Sequence, residues 1–285
     1  MSMVQESQVV IPSKRLYRQR AHCNPWSDHG LDPPISPSRV DWNRVYDSIS
    51  AKQPTCLDIG CGYGGLLMKL SEVFPELSSV GIEIRLKVSD YVQERIKASR
   101  INNKGSYLNV ACIRANAMKN LINYFSKGSL DMMFFLYPDP HFKRLKIKWR
   151  IISPVLLSHY AFLLKKGGLL HAGTDVEDLS EWMFNCLSNH PLFKLKVFVR
   201  LRIAFLDRNK ISDTKSSDDN TIEEMDDSLL EVIPTKYSTI NNRDELIASF
   251  KEHKILRYLC HGCTEEAQKA AREKRGTSMM IFERI

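Results

Sequence analysis

Glycine or polar residues follow four segments of this 285-residue chain that have the composition of β-strands. The first segment is followed by DIGCGYGG at 58–65, and the second ends at Glu83, 23 residues after Gly60. RANA at 114–117 follows the third, and YPDP at 137–140 follows the fourth. Glycines let a backbone approach a ligand closely, and a carboxylate after the second strand can accept hydrogen bonds from both ribose hydroxyls of a nucleoside. A nucleoside cofactor is therefore expected.

The glycine spacing alone leaves the cofactor open. Gly60, Gly62 and Gly65 satisfy G-x-G-x-x-G, which suits a nicotinamide dinucleotide as well as S-adenosylmethionine. Asp58 precedes these glycines, and a carboxylate suits a cationic sulfonium with a free amino group better than it suits a pyrophosphate. A short polar residue at Asn116 can meet an adenine edge. These features favour S-adenosylmethionine.

Asp139 is the candidate catalytic residue. It lies between two prolines, which fix the backbone and hold the carboxylate where an acceptor base would meet the methyl group. The alternative is a Pro-Asp-Pro turn that only ends a strand. A positioned acid at the carboxyl end of a strand nevertheless indicates a site.

Basic residues surround these motifs. The chain has 41 Lys and Arg against 33 Asp and Glu, for a net charge of +8, and residues 207–240 alone hold nine acids and four bases. The rest of the chain is therefore more basic than the total. HFKRLKIKWR at 141–150 and KRLYRQRAH at 14–22 place cations beside aromatic rings, as RNA phosphates and unstacked bases require. A solvated charged face is the alternative. The candidate RNA-binding residues are Arg18, Arg20, Lys119, Lys143, Arg144 and Lys146.

Strands alternating with helices predict an α/β fold with a doubly wound, mostly parallel sheet of seven strands. Residues 1–45 are predicted to be a tail and a basic arm, and residues 46–285 one catalytic domain with a disordered acidic insert at about 207–235. A helix is predicted over Lys148–Leu164, ended by glycines. The predicted strands are Thr55–Ile59, Ser79–Ile84, Leu108–Arg114, Leu130–Leu136, Leu169–Gly173, Phe193–Phe205 and Ser278–Arg284.

Other classes of protein are disfavoured by the composition. No run of about 18 apolar residues predicts a membrane span, and residues 1–11 lack the regions of a signal peptide. Seven irregularly spaced cysteines fit a reduced compartment better than a disulfide framework. Cys260 and Cys263 could supply two zinc ligands, but a structural zinc site needs four, so no metal is expected.

The motifs together resemble those of the eukaryotic tRNA (guanine-N7)-methyltransferases. The matching segments are RLYRQRAHCNPWSDH at 15–29, CLDIGCGYGGLL at 56–67, VGIEIRLKVSDYVQERI at 80–96, RANAMKNL at 114–121, FFLYPDPHFKRLKIKWRIISP at 134–154 and TEEAQK at 264–269. The resemblance implies a class I, Rossmann-like methyltransferase fold and methylation of N7 of a variable-loop guanine in tRNA. It also implies a noncatalytic WD-repeat subunit as the partner in a heterodimer, and a nuclear location.

The resemblance also implies roles for particular residues. Asp139 matches the catalytic aspartate, which would orient the guanine and stabilise its developing positive charge. Thr264 and Glu266 match a pair near the methionine end of the cofactor. The other positions that match cofactor contacts are Gly60, Glu83, Ile84, Arg85, Asn116, Ala117 and Leu136.

Three features depart from the family pattern. Tyr137 stands where the family carries Phe, which adds a hydroxyl that needs a partner; Cys23 stands where it carries Ser; and the acidic insert is long. Two alternatives remain at this point: an NAD-dependent oxidoreductase, and an RNA-binding module with a vestigial cofactor pocket. The presence of Asp58, Glu83 and Asp139 together speaks against a decayed site.

Overall fold

In the part of the chain that the structure describes, eight strands form one sheet with helices on both faces. The computed structural model describes residues 9–20, 23–27, 29–48, 51–204 and 225–285. The strand order is β3-β2-β1-β4-β5-β8-β6-β7. The strands are β1 (Cys56–Ile59), β2 (Ser79–Glu83), β3 (Val110–Arg114), β4 (Leu130–Leu136), β5 (Leu164–Thr174), β6 (Phe193–Ile203), β7 (Leu230–Val232) and β8 (Thr277–Arg284).

The first five strands pair in parallel, and this arrangement brings their carboxyl ends to one edge. Asp58 of β1 pairs with Gly81 of β2 and with Phe134 of β4, and Glu83 of β2 pairs with Arg114 of β3. The chain order reverses between β1 and β4, and in open α/β sheets the crevice at such a reversal is where ligands bind. The predicted doubly wound sheet is confirmed.

The other half of the sheet is antiparallel. β8 lies between β5 and β6 and runs against both. The sequence predicts seven strands, whereas the structure has eight, because residues Leu230–Val232 pair with the end of β6. Three residues are too short for a period-two pattern to reveal. This strand falls inside the predicted insert, so the predicted boundary at residue 235 is too late. Residues 205–224, which hold the rest of the insert, lie outside the described residues.

Nine helices occur in the described part of the chain, and they cover the sheet. They are α1 (Trp42–Tyr46), α2 (Gly65–Val73), α3 (Leu86–Asn102), α4 (Ala117–Tyr124), α5 (Pro154–Leu163), α6 (Glu177–Ser188), α7 (Arg243–Ser249), α8 (Lys254–Cys260) and α9 (Glu265–Arg272). The α5 helix begins six residues later than predicted, because Pro154 occupies its first turn and a 3-10 helix takes Arg144–Trp149. The predicted glycine stop falls within β5, which starts at Leu164.

The core forms two layers, one on each face of the sheet, because successive side chains of a strand point to opposite faces. Met133 and Phe135 of β4 join the layer that includes α4, α5 and α6, whereas Phe134 joins the layer that includes α2, α7 and α8. All three β4 side chains are fully buried. The predicted central strand, buried on both faces, is therefore present.

The segment before the sheet lies along the domain. Val9 exchanges two hydrogen bonds with the Asn102 side chain at the end of α3, and the Tyr17 ring meets the edge of Tyr91, with centroids 5.6 Å apart. The Lys14 ammonium lies 2.8 Å from Glu265 Oε1. These contacts attach the predicted basic arm to α3 and α9.

In the described residues, no helix is both long and apolar enough to cross a membrane. The same residues hold no group of three or more His, Cys, Asp or Glu side chains with the geometry of a metal site. Cys260 is the last residue of α8 and Cys263 follows the helix. Both are free thiols, and burial raises the pKa of Cys263 to about 12.

Candidate active site

A cavity opens at the carboxyl ends of β1, β2, β3 and β4. It brings together residues from all four motifs and from the N-terminal arm. The residues that line it are Cys23, Pro25, Ile59, Gly60, Ile82, Glu83, Ile84, Arg85, Ala115, Asn116, Ala117, Met118, Leu136, Tyr137, Pro138, Asp139, His141, Trp149 and Ile151. The lining combines charged side chains (Glu83, Arg85 and Asp139) with aliphatic ones (Ile59, Ile82, Ile84 and Leu136).

The glycine turn connects β1 to α2. Gly60 and Gly62 have φ values of 73° and 54°, a region that side chains with a Cβ rarely adopt. Gly65 opens α2 where a Cβ would lie 2.6 Å from Glu265 Oε2. The turn therefore needs glycine for backbone conformation at its start and for space at its end.

Glu83 is held by Arg85. Its side chain is 3% exposed, and its two carboxylate oxygens accept three hydrogen bonds from Arg85, one from the backbone N–H and two from the guanidinium, at 2.8–3.0 Å. Burial lowers the pKa of Arg85, but hydrogen bonds and charge from Glu83, and the charge of Asp139, leave it raised above its usual value. The guanidinium is thus paired with Glu83 and also interacts electrostatically with Asp139.

Asp58 is a buried acid beneath the glycine turn. Only 4% of it is exposed. Burial raises the pKa of Asp58 to about 8, and the negative charges of Glu265 and Glu83 add to the rise. This carboxyl group is therefore largely protonated at neutral pH, and a cation placed nearby would favour its ionised form.

Asn116 joins α4 to the arm. Its Oδ1 accepts a hydrogen bond from Met118 N and so caps α4, while Nδ2 donates to the Pro25 carbonyl at 2.6 Å. Arg114 Nη2 donates to the His29 carbonyl, also at 2.6 Å. Residues after β3 therefore fix the arm over the mouth of the cavity.

The Pro138-Asp139-Pro140 turn is bracketed by strained backbone. Tyr137 and His141 have φ values of 52° and 45°, which cost energy in residues other than glycine. Tyr137 N donates to the Gly173 carbonyl at 2.7 Å, and Arg150 Nε donates to the Pro140 carbonyl at 2.9 Å. The surrounding structure thus holds Asp139 in a fixed place, as the sequence predicts for this turn.

The hydroxyl added at Tyr137 is satisfied. It hydrogen-bonds to the side chain of Thr277, at the start of β8. Burial raises the pKa of Tyr137 well above its usual range, so the group is a neutral phenol. The departure from the family pattern at this position therefore ties the turn to the antiparallel half of the sheet.

Comparison with known proteins identifies the family. A family model described as "Putative methyltransferase" matches residues 52–198, just over half of the chain. A tRNA (guanine-N(7)-)-methyltransferase of Anopheles gambiae is 55% identical over 189 residues, which cover 66% of this chain and 80% of that protein. Proteins of the same name from Drosophila ananassae and Brugia malayi are 58% and 57% identical, over 65% of this chain and 73% and 72% of theirs.

The chain belongs to the tRNA (guanine-N(7)-)-methyltransferase family. The family predicted from the motifs is confirmed, and the dinucleotide interpretation of the glycine spacing is excluded. The class I methyltransferase fold is likewise confirmed, with one strand more than predicted.

Most of the family positions predicted to contact the cofactor lie together. Gly60, Glu83, Ile84, Arg85, Asn116, Ala117 and Leu136 all line the cavity, as does Asp139. Thr264 and Glu266 lie outside its lining. The Thr264 hydroxyl caps α9 by accepting a hydrogen bond from Ala267 N, and Glu266 is exposed to solvent. The adjacent Glu265 is the α9 acid that meets the glycine turn and Arg95.

The predicted RNA-binding residues lie on the surface. Arg18, Arg20, Lys143, Arg144 and Lys146 are exposed. Lys119 is exposed as well, but its ammonium lies 3.3 Å from the Trp26 carbonyl and 5.9 Å from the centre of the Trp26 ring. It therefore helps to hold the arm.

Sequence reasoning missed part of the cavity wall. Cys23 and Pro25 from the arm, and Trp149 and Ile151 at the end of the basic segment, line the cavity without having been predicted to do so. The only signal for the first two is that they lie inside the matched segment at 15–29, because no periodic pattern marks an extended arm.

Proposed function

We propose that this chain transfers the methyl group of S-adenosyl-L-methionine to N7 of a variable-loop guanine in tRNA, forming 7-methylguanosine. The observation that carries the proposal is one cavity lined by Gly60, Glu83, Asn116 and Asp139 in a member of this family. The family relationship supports the substrate, and the cavity supports the chemistry.

The cavity residues fit S-adenosylmethionine. Glu83 would accept the ribose hydroxyl hydrogen bonds, which requires Arg85 to share or leave that carboxylate. Ile82, Ile84 and Leu136 offer apolar walls of the kind a purine ring packs against. Glu83 and Glu265 lie close enough to Asp58 for their negative charges to raise its pKa. Such a group of three acids suits a ligand with an ammonium and a sulfonium.

Asp139 would orient the acceptor base. Guanine N7 has a lone pair and no proton, so no general base is needed to make it nucleophilic. When bound, the cofactor supplies an electrophilic methyl group on its sulfonium. A carboxylate that accepts hydrogen bonds from guanine N1–H and the exocyclic amino group positions N7 and offsets the positive charge that develops on the ring. Because hydrogen bonds hold the Pro138-Asp139-Pro140 turn in place, the Asp139 carboxylate does not need to move during the reaction.

Substrate RNA would lie across the basic surface beside the cavity. Lys143, Arg144 and Lys146 follow the Asp139 turn directly, and Arg18 and Arg20 lie on the arm that reaches the same cavity. Their charges would contact phosphates and position the tRNA without reading its sequence.

The protein is further proposed to act as a heterodimer with a noncatalytic WD-repeat subunit, and in the nucleus. Both proposals rest on the resemblance of the motifs to eukaryotic members of the family. Co-purification of the chain with one WD-repeat protein, and nuclear retention of a tagged chain, would support them.

The decisive experiment is incubation of the chain with labelled S-adenosylmethionine and bulk tRNA, with and without the WD-repeat subunit, followed by nucleoside analysis. Label in 7-methylguanosine is expected. Tight, salt-dependent tRNA binding without any labelled nucleoside in either mixture would instead identify an RNA-binding protein with an inactive cofactor pocket. Label in another nucleoside would overturn the choice of atom.

A further inference from the structure

A short basic loop joins two parts of the cavity wall. The chain leaves the cavity at His141 and returns to it at Trp149, and residues 142–148 between them form what we term the rim loop. The rings of His141 and Trp149 meet edge to face, with centroids 5.7 Å apart. The Arg150–Pro140 hydrogen bond ties the two ends of the loop together at 2.9 Å. The rim loop is therefore fixed at its base.

The rim loop presents two apolar side chains to solvent. Phe142 is 66% exposed and Leu145 is 86% exposed, and the cations Lys143, Arg144 and Lys146 lie between and beside them. A 3-10 helix over Arg144–Trp149, with a 2.7 Å bond from Lys146 N to the Lys143 carbonyl, keeps the loop compact. Exposing large apolar groups in water is unfavourable, so a rigid loop that does so indicates a surface that a partner covers.

The alternation of apolar and cationic side chains indicates which partner. Cations at four of the seven loop positions would be desolvated against an apolar protein surface, whereas a nucleic acid offers phosphates to the cations and base faces to the apolar groups. The net charge of the chain, +8, favours a polyanion as well. Nucleic acid is therefore the occupant that satisfies both kinds of side chain.

The reaction supplies a reason for such a contact. A guanine in folded RNA is stacked between its neighbours, and a cavity lined on several sides admits a base only after the base leaves that stack. Unstacking is unfavourable by a few kcal/mol, and proteins that open a stack commonly insert an apolar side chain into the space. Phe142 is three residues from Asp139 and directly follows His141, which lines the cavity.

We propose that Phe142 and Leu145 enter the RNA stack beside the target guanosine and fill the space that the guanine leaves when it moves into the cavity. This inference rests on the proposed function. Phe142 would stack on the neighbouring base, and Leu145 would pack against the sugar and base edge beyond it. The two residues position the substrate and do not touch the reacting atoms.

The test compares the double variant Phe142→Ala/Leu145→Ala with the unaltered chain on two substrates: folded tRNA, and a short single-stranded RNA with the same target guanosine and flanking nucleotides. We expect kcat/KM to fall about tenfold or more on folded tRNA, where the two side chains offset the cost of opening the stack. The loss should be less than about threefold on the single strand, because little stacking has to be opened there. Equal losses on both RNAs, or no loss on either, would overturn the proposal.

Two variants control for the substitution itself. Phe142→Tyr keeps an aromatic face and should retain activity on tRNA. Leu108→Ala removes an exposed leucine just before β3, at the amino ends of the parallel strands and away from the cavity. It should leave the reaction with both RNAs unchanged. A melting temperature within a few degrees of the unaltered chain shows that a variant is folded.

A second measurement follows base movement without methyl transfer. The variable-loop guanosine of tRNA is replaced by thienoguanosine, a fluorescent analogue that keeps the N1–H and the exocyclic amino group but has no N7 to methylate, and whose fluorescence rises when the base unstacks. The unaltered chain should raise this fluorescence at saturation, and the double variant should not, although its binding keeps the same salt dependence because no cation has changed. An equal rise with both proteins, or none with the unaltered chain, would contradict the proposal. Failure of the proposed function is separate, since it shows as absence of 7-methylguanosine.

Discussion

The Asn116 side chain and the Pro25 carbonyl are joined by a 2.6 Å hydrogen bond across 91 positions of the chain. Asn116 is 2% exposed, lines the cavity and caps α4, so one side chain serves the cavity wall, the helix and the arm. Attachment of the arm and the shape of the cavity are therefore coupled. A ligand that contacts Asn116 favours the docked arm to the extent that it binds that arrangement more tightly.

Asn116→Asp should release the arm while preserving the helix. The aspartate keeps the oxygen that caps α4 but replaces the donated hydrogen bond with an oxygen facing the Pro25 carbonyl. Loss of such a buried bond costs about 1–3 kcal/mol, so trypsin should cut after Arg18 or Arg20 roughly tenfold faster or more. Asn120→Asp, on the same helix, controls for the added charge. Unchanged cleavage would separate Asn116 from arm docking.

Asp139→Ala should abolish most methyl transfer while cofactor binding largely survives. Removing one group that orients the base and stabilises developing charge is expected to lower the rate by about 10²–10³-fold. Asp139→Asn is the sharper comparison, because the amide fits the same space but offers a donor toward the guanine N1–H. Single-turnover rates and the dissociation constant of S-adenosylmethionine should be measured for both variants. Near-normal rates in either one would remove Asp139 from the mechanism.

Cofactor affinity should rise with pH toward about 8. Asp58 has its pKa raised to about 8 in the ligand-free protein, so it is protonated below that value, while a bound cation favours the carboxylate. Binding then releases a proton, and the association constant increases by up to about tenfold per pH unit between the pKa of the complex and about 8. Calorimetry in buffers of different ionisation enthalpy measures that proton. Asp58→Asn should remove both effects, and a proton release that persists in this variant would assign it elsewhere.

Much of this site could be predicted because its residues follow strands. The strands of the parallel half carry apolar runs that mark them, and parallel strands must end at a common edge, so the sequence alone places Gly60, Glu83, Asn116 and Asp139 together. The arm could not be placed in this way. The segment that holds Cys23 and Pro25 is attached at the cavity by hydrogen bonds that its carbonyls accept from Arg114 and Asn116, and such isolated long-range contacts leave no periodicity in the sequence.

The sequence pattern predicts the wrong start for α5. The sequence predicts one helix over Lys148–Leu164. The structure begins this helix at Pro154, because Pro154 lacks the backbone N–H that a continuous helix would need. The 3-10 helix Arg144–Trp149 lies before this start, and the Ser153-Pro154 pair could have indicated that α5 begins at Pro154.

Protein stability should fall as the pH drops below about 6.5. His171 is buried, stacks on Phe134 at 4.7 Å, and has its pKa lowered to about 3 by burial and by nearby His253. The pKa of His171 is about 6.5 in the unfolded chain and about 3 in the folded chain, so between these pH values the unfolded chain binds a proton that the folded chain does not. This single group therefore removes about 2 kcal/mol of unfolding free energy by about pH 5. Urea unfolding at neutral pH and at about pH 5 should show it.

The His171→Leu variant should lose this pH dependence, whatever its absolute stability. His159→Leu, which changes an exposed histidine of α5, should keep the full dependence. If the unfolding free energy of His171→Leu falls as steeply as that of the unaltered chain between the two pH values, the acid sensitivity originates at another group. His253 is the next candidate, because burial lowers its pKa as well.

Lys143→Glu should weaken tRNA binding and flatten its salt dependence. Each phosphate contact releases condensed counterions, so losing one contact should reduce the slope of log K against log salt by about one. Lys127→Glu makes the same charge change just before β4, at the amino ends of the parallel strands and away from the cavity. It should lower the affinity for tRNA only slightly and leave the slope unchanged. Filter binding of tRNA across a salt series measures both. An unchanged slope in Lys143→Glu would place the RNA elsewhere and would remove the charge argument for RNA contact at the rim loop.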